Sequence, residues 1–295
     1  MLGYLFIFIS VFFGVTKGFG SKKVSGSVKN LRDNLDISLY RNALCCVFSF
    51  ITALAVGGTS FSFNITEILI SAIAGITMAV FISSWLFAIQ SDSYMLVSAS
   101  ASSSFIVPAV LGVFFLGETL TLKKILAFVI IVIALFFLLK YNTKLNGKIT
   151  VKSLLLLATV LLSQGINQAM QKIYTYSFPE KDASHFTFYS AFFTVIAILV
   201  MIPFAKKEKN AEKASVLLYP KVLIYATIMA LALFGNTYFL TLASKSVDAL
   251  ILYPVANALS LGAASAMSAI FFGEKMNRDS IIGVILVFIA LVLAR

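Results

Sequence analysis

Apolar residues along the chain are grouped into ten long runs that are separated by short polar links. A helix needs about 20 mostly apolar residues to cross the hydrocarbon core of a bilayer, and each run is close to that length. The pattern therefore predicts an all-α integral membrane protein with ten transmembrane helices. Their predicted bounds are 2–19, 38–57, 67–89, 94–116, 121–140, 152–176, 184–204, 219–243, 248–272 and 278–294.

The composition also indicates a membrane protein. The chain is 60% hydrophobic and only 12% charged, whereas soluble domains carry about 25% charged residues. The net charge of +11 could suggest a nucleic-acid partner. However, the lysines and arginines lie in the short links between apolar runs, which is the distribution that the positive-inside rule describes. We therefore expect a multi-pass protein of the cell membrane, such as a bacterial inner or plasma membrane, and no nucleic-acid partner.

The second half of the chain repeats part of the first half at an offset of 156 residues. Gly117-Glu118 recurs as Gly273-Glu274, and each pair lies between two long apolar runs. The ungapped alignment of residues 92–135 with residues 248–291 contains ten identities in 44 positions. Most identities between apolar runs carry little weight, but the Gly-Glu pair and the matched Asp92 and Asp248 indicate a duplication.

The duplication predicts two five-helix units, residues 1–145 and residues 150–295. Because five is odd, the second unit must enter the membrane from the opposite side, so the repeat has inverted topology. Inverted repeats are a common architecture of secondary transporters, whose substrate site lies near the midplane between the halves. We expect alternating access around a site lined by spans one, three, four, six, eight and nine.

Several motifs resemble those of the drug/metabolite transporter superfamily and, within it, the ten-span EamA-type transporters. The motifs are Phe13-Gly14, Tyr40-Arg41, Pro108 with residues 113–120 (VFFLGETL), and residues 270–276 (IFFGEKM). The resemblance implies a metabolite transporter with both termini in the cytoplasm. The lysine and arginine distribution, which favours the links after odd-numbered spans, would place both termini outside. The orientation of the chain in the membrane therefore stays open at this point.

Polar residues inside the spans are candidates for the substrate site, because a polar group in a bilayer is costly unless it faces a cavity or a partner. In span six, Gln164, Asn167, Gln168 and Gln171 are spaced i, i+3, i+4, i+7 and therefore share one helical face. Four amides on one face can form a substrate-binding wall. The alternative is that they hold the bundle together through hydrogen bonds between helices.

Other spans add candidates of the same kind. Tyr253, Asn257 and Ser260 share one face of span nine, and Asn236 lies near the middle of span eight. Span four is rich in serine and alanine, which favours close packing of helices, although its serines can also line a cavity. The predicted substrate-binding residues are Lys17, Ser100, Ser104, Gln164, Asn167, Gln168, Asn236, Tyr253, Asn257 and Ser260.

Lys17 is the ionisable residue placed deepest in any span. An unpaired lysine in the middle of a membrane helix costs about 2.5–3.5 kcal/mol on insertion scales. Lys17 can lower this cost by extending its side chain to the membrane surface. If it faces the cavity instead, it suits a carboxylate or phosphate of the substrate.

All twelve carboxylates fall in links or at span ends. This argues against a carboxylate proton relay of the kind that the four-span multidrug relatives use. We expect Glu118 and Glu274 to cap span ends. Their expected ion-pair partners are Lys123, Lys124 and Arg278.

The sequence offers little chemistry for catalysis. It contains one histidine, His185, and two adjacent cysteines, Cys45 and Cys46, which point in different directions on a helix. We therefore expect no enzyme activity, no metal and no cofactor.

The predicted function is secondary transport, by export, of a small polar or zwitterionic, amino-acid-like metabolite. The alternative is an anionic or phosphorylated metabolite or a drug, and a membrane enzyme or a channel ranks below both. The expected partners are the small-molecule substrate and the lipid bilayer, and whether the chain is a monomer or a homodimer stays open.

Overall fold

The computed structural model describes residues 2–28, 30–56, 64–91, 97, 100–140, 151–205, 216–272 and 278–293. Within these ranges the secondary structure is helical, without a strand. The predictions that concern Asp92, Gly273 and Glu274 fall outside the described residues.

Ten α-helices have defined bounds in the described part of the chain, and residues 97 and 100–102 are also helical. The ten helices are α1 Leu2–Val24, α2 Leu31–Val56, α3 Ile65–Ser91, α4 Ile106–Phe115, α5 Leu122–Lys140, α6 Val151–Ser177, α7 Ala183–Met201, α8 Pro220–Ser244, α9 Ala249–Phe272 and α10 Arg278–Leu293. Among the described residues, six helices (α1, α2, α3, α6, α7 and α8) are long and apolar enough to cross a membrane. The all-α class is therefore confirmed, together with a multi-pass membrane protein.

The second helix begins earlier than its apolar run. The side chain of Asn30 accepts a hydrogen bond from the backbone nitrogen of Asp33 at 2.9 Å, and this cap starts the helix at Leu31. Arg32 and Asp36 then form an ion pair one turn apart, with Nε and Oδ1 at 3.0 Å. As a consequence, Arg41 lies deep within α2 instead of at its start.

The fourth apolar run is interrupted. A 3₁₀ turn at Ser103–Phe105 precedes α4, which has only ten residues. The serines and alanines of this run provide little apolar surface. Pro108 lies in the first turn of α4, where its missing backbone donor is tolerated.

The helices pack mainly across the two halves of the chain. The most extensive contacts join α1 to α8 and α3 to α6, and α2 packs against α7 while α5 packs against α10. Exchanging the first five helices with the last five reproduces this set of pairs. Large apolar side chains such as Phe12, Phe114 and Phe204 remain exposed on the outside of the bundle, where a bilayer would cover them.

Candidate functional site

A cavity of about 200 Å³ lies between six helices, α1, α2 and α3 from the first half and α6, α7 and α8 from the second. A water molecule occupies ~30 Å³ in the liquid, so the cavity has room for a small metabolite. Most of its described lining residues have polar side chains, although apolar atoms also contribute to its surface. The polar lining residues are Lys17, Asn42, Gln164, Asn167, Gln168, Gln171, Thr187, Ser190, Thr194, Asn236 and Thr237.

The set of helices around the cavity differs in part from the one that we expected. The second and seventh spans line it, in place of the fourth and ninth. The reason is that α4 packs behind α6, where Gly165 has no side chain. A Cβ atom on Gly165 would lie 2.5 Å from Cγ2 of Val107 and 2.8 Å from the carbonyl oxygen of Ser104. This close packing places Ser104 behind α6, outside the described lining of the cavity.

The predicted amide face of α6 does line the cavity, and three of its four side chains also bond to neighbouring helices. Asn167 Nδ2 donates to the carbonyl oxygen of Ala74 at 2.8 Å. Gln171 Nε2 donates to Thr241 Oγ1 at 2.9 Å. Each of these two side chains therefore holds a helix pair and also lines the cavity.

Gln168 joins α6 to the two helices behind it. Its Nε2 donates to Asn257 Oδ1 at 3.3 Å, and its Oε1 accepts from Ser104 Oγ at 3.2 Å. Asn257 Nδ2 in turn donates to the carbonyl oxygen of Ser102 at 3.0 Å. Three of the predicted site residues thus form one hydrogen-bonded network, of which only Gln168 reaches the cavity.

Gln164 differs from the other three amides. Its Oε1 atom is buried and has no hydrogen-bond partner in the described part of the chain. A buried acceptor without a partner costs about 1–3 kcal/mol. A donor on a bound solute would satisfy this oxygen, so Gln164 is the amide that is most available for a ligand.

Asn236 lines the opposite wall of the cavity and connects α8 to α1. Its Nδ2 donates to the carbonyl oxygen of Ser10 at 2.9 Å and is 3.0 Å from Ser10 Oγ. Gly14 permits this approach, because a Cβ atom at that position would lie 3.2 Å from Asn236 Nδ2. The Phe13-Gly14 motif of the first span therefore lies directly beside the cavity wall.

The remaining predicted residues lie outside the cavity lining. Ser100 Oγ donates to the carbonyl oxygen of Leu157 at 2.5 Å. Tyr253 is fully buried in an apolar cluster that also contains Ile7 and Leu252. Ser260 is partly buried near Gly14.

Lys17 lines the cavity instead of extending to the membrane surface. Among the described residues it forms no hydrogen bond and no ion pair, and none of the described lining residues is an aspartate or a glutamate. The described lining therefore carries a positive charge without a counter-charge.

The sequence analysis did not single out Asn42 or the hydroxyl groups of α7. Thr187, Ser190 and Thr194 are spaced i, i+3, i+7, and all three line the cavity. Their spacing was a usable signal, but a weak one. Serine and threonine can satisfy their hydroxyl groups on their own helix, as Thr194 Oγ1 does with the carbonyl oxygen of Ser190 at 2.8 Å.

One end of the bundle, formed by links 116–121, 178–182 and 245–248, is tied together by charged groups, and we call it the linked end. Glu118 accepts from the backbone nitrogen of Ala249 at 2.8 Å and pairs with Lys172 at 3.2 Å. Glu118 thus caps a helix as expected, but its predicted pairing with Lys123 or Lys124 was wrong. Lys124 pairs with Asp248 instead.

A second ionic group at the linked end surrounds Glu67, which is fully buried in the first turn of α3. Its carboxylate accepts from Tyr174 OH at 2.9 Å and pairs with Lys181, and His185 Nδ1 lies 3.8 Å away. Tyr174 and Lys181 belong to the second half of the chain, so this group joins the two halves.

Lys245 closes the same region from the end of α8. Its Nζ donates to the carbonyl oxygens of Pro179 at 2.9 Å and of Lys181 at 2.5 Å. Partial burial lowers the pKa of Lys245, since leaving water disfavours the charged ammonium group.

Comparison with known proteins supports the resemblance found in the sequence. The family model described as "EamA-like transporter family" matches residues 1–140. A crystal structure of another protein, 12% identical in sequence, superposes with a TM-score of 0.73 over 99% of this chain and 96% of that chain. At this identity the likeness concerns the fold alone. A search of the curated proteins found no match.

Proposed function

Because residues 1–140 belong to the EamA-like transporter family, we propose that this multi-pass membrane protein is a secondary transporter of small polar or zwitterionic, amino-acid-like metabolites. The cavity between α1, α2, α3, α6, α7 and α8 is the proposed substrate site. The proposed location is the cell membrane, and export is the proposed direction.

The observation that carries the proposal is the polar cavity enclosed by three helices from each half of the chain. This polar cavity differs from the core of a soluble protein, which is filled with apolar side chains. In a membrane protein, a polar group needs a partner or a cavity. In secondary transporters built from inverted repeats, the site lies between the halves near the midplane. The position of this cavity agrees with that arrangement.

We further propose that residues 1–145 and 150–295 are inverted five-helix units that move against each other in alternating access. The pairing of α1 with α8 and of α3 with α6 supports two related units. The ion pairs at the linked end join the halves there, so they would have to separate when the cavity opens towards that end. Lys17 lies towards the opposite end of the bundle, seven residues before α1 ends at Val24.

The lining also supports a second candidate, a transporter of anionic metabolites. Neutral amides such as Gln164 and Asn167 can donate to and accept from any polar group. Lys17, in contrast, selects for a negative group, and no carboxylate among the described lining residues opposes it. A zwitterion would place its carboxylate at Lys17 and its ammonium group against the amides.

Transport by the purified protein in proteoliposomes tests the proposal. Vesicles are loaded with labelled amino acids and organic acids, and the exit of each compound is followed. Asn167→Leu and Gln168→Leu should slow transport, whereas Thr159→Val, on an exposed part of the same helix, should leave it unchanged. If both leucine variants are well folded and transport at the wild-type rate, the assignment of the site fails. If the wild-type protein carries no solute at all, the proposed function fails.

A further inference from the structure

Two cationic side chains, Lys17 on α1 and Arg41 on α2, lie close to each other beside the cavity. Lys17 lines the cavity, and so does Cys45, which follows Arg41 by one helical turn on the same face of α2. Arg41 is the charged side chain whose electrostatic interaction with Lys17 is resolved. Lys17 therefore lines the cavity itself, and Arg41 lies next to the lining, between Lys17 and the turn of α2 that carries Cys45.

Both residues lie well inside their helices. Lys17 is seven residues from the end of α1 at Val24, and Arg41 is ten residues from the start of α2 at Leu31. At 1.5 Å per residue these positions are about 10 Å and about 15 Å from the helix ends. Because α1 and α2 are consecutive and connected by a short link, both residues lie inside the bundle from the same end.

Neither cation has a counter-charge in the described part of the chain. Lys17 has no hydrogen bond or ion pair there, and Arg41 Nε is buried without a hydrogen-bond partner. Arg32 in the same helix provides a contrast, because Asp36 pairs with it. Two neighbouring cations that are partly buried and have no counter-charge are costly for folding. Such an arrangement is typical of a site that is completed by its ligand.

We propose that Lys17 and Arg41 form an anion subsite, and that the solute carried by this protein has a carboxylate or phosphate group that binds there. The guanidinium group of Arg41 can bind two oxygens of such a group, and the ammonium group of Lys17 adds a point charge. Gln164 and Asn167 then contact the polar remainder of the solute. This inference rests on the proposed function and narrows it, because two cations favour an acidic solute over an amino acid of zero net charge.

The first test compares probes of equal size and different charge. Succinate, succinamate and succinamide carry two, one and no negative charges, and inorganic phosphate represents the other anionic group. Thermal unfolding of the purified full-length protein in detergent, at constant ionic strength, should show stabilisation that grows with probe charge. Lys17→Met and Arg41→Met should each weaken the binding of the effective anions by about tenfold or more. Lys22→Met, at an exposed lysine of the same helix, should leave the binding unchanged.

A second measurement distinguishes a binding role from a structural one. Without added anions, Lys17→Met should unfold at a higher temperature than the wild type, because an unpaired cation has been removed. A structural lysine would give the opposite result, and a lower unfolding temperature would overturn the inference. It would also be overturned if succinamide stabilised the wild type as much as succinate and phosphate do, or if both methionine variants kept wild-type anion affinity.

The two proposals can fail separately. If Lys17 and Arg41 bind succinate or phosphate but proteoliposomes carry no solute, the anion subsite stands and the transport function fails. If proteoliposomes carry neutral solutes and the methionine variants do so equally well, without any anion response, transport stands and the anion subsite fails. A larger response to phosphate than to succinate would identify a phosphorylated solute, and the reverse order a carboxylic acid.

Discussion

The carboxylate of Glu118, in the first half of the chain, accepts a hydrogen bond from the backbone nitrogen of Ala249, the first residue of α9 in the second half, at 2.8 Å. The same carboxylate pairs with Lys172 at the end of α6. A negative group at a helix N-terminus satisfies a free backbone donor and is favoured by the helix dipole. The first copy of the repeated Gly-Glu motif is therefore a junction between the two halves.

Removing this carboxylate should destabilise the protein through Lys172. In Glu118→Ala the ammonium group of Lys172 keeps only carbonyl acceptors, and losing one partner of a buried ion pair typically costs about 3–5 kcal/mol. Glu118→Gln should cost less, because its amide oxygen can still accept from Ala249. Unfolding in detergent measures both variants, with Glu180→Gln at an exposed glutamate of the same end as the control. Equal and small losses of stability in all three variants would show that the junction contributes nothing to the stability of the fold.

The glycine before Glu118 should be required for its backbone conformation. Gly117 has a φ of +69°, a left-handed conformation that costs other residues about 1–2 kcal/mol. Gly117→Ala should therefore lower stability by roughly that amount. Gly18→Ala is the matched control, since Gly18 lies in the interior of α1 and a Cβ atom there meets no neighbour within 4 Å. Alanine is the better helix former, so this control should be neutral or stabilising, and a loss as large as that of Gly117→Ala would contradict the explanation.

The Gly-Glu motif shows what the sequence could and could not predict. The apolar runs on both sides predicted that a helix ends near Gly117, and local sequence was sufficient for that. The partner of Glu118 was predicted incorrectly, because Lys123 and Lys124 are near in sequence whereas Lys172 is near only after α6 has packed against α4. Contacts between distant segments depend on the packing of whole helices, which periodicity does not encode.

The stability of the fold around the buried Glu67 should depend more on Lys181 than on Tyr174. Lys181→Met would leave a fully buried carboxylate without its cation, at a cost of about 3–5 kcal/mol. Tyr174→Phe removes one hydrogen bond to a charged group, which is worth about 1.5–3 kcal/mol. The double variant Glu67→Gln with Lys181→Met should recover part of the loss, since the unpaired charge is gone. If the double variant were less stable than Lys181→Met alone, the unpaired charge of Glu67 would not be the cause of the loss.

The cavity was only partly predictable for a related reason. Amides are costly in a membrane, so the spacing of Gln164, Asn167 and Gln168 identified the correct face of α6. Thr187 and Ser190 on α7 gave no comparable signal, because a hydroxyl group can bond to its own helix at almost any position. The involvement of α2 was missed because its lining residues, Asn42 and Cys45, are isolated within an apolar run and form no polar face.

Substitutions of Gln164 and Gln168 should have different effects on transport and on stability. Gln168 bonds to Ser104 and Asn257, so Gln168→Leu should lower both the unfolding temperature and the transport rate. Gln164 Oε1 has no partner among the described residues. Gln164→Leu should therefore keep or raise the unfolding temperature while slowing transport by about tenfold, which corresponds to ~1.4 kcal/mol of lost binding. Proteoliposome transport and thermal unfolding of the same preparations measure the two effects. A Gln164→Leu protein that is destabilised but transports normally would assign this side chain to packing, because a group that serves only the substrate should leave the unliganded fold unharmed when it is removed.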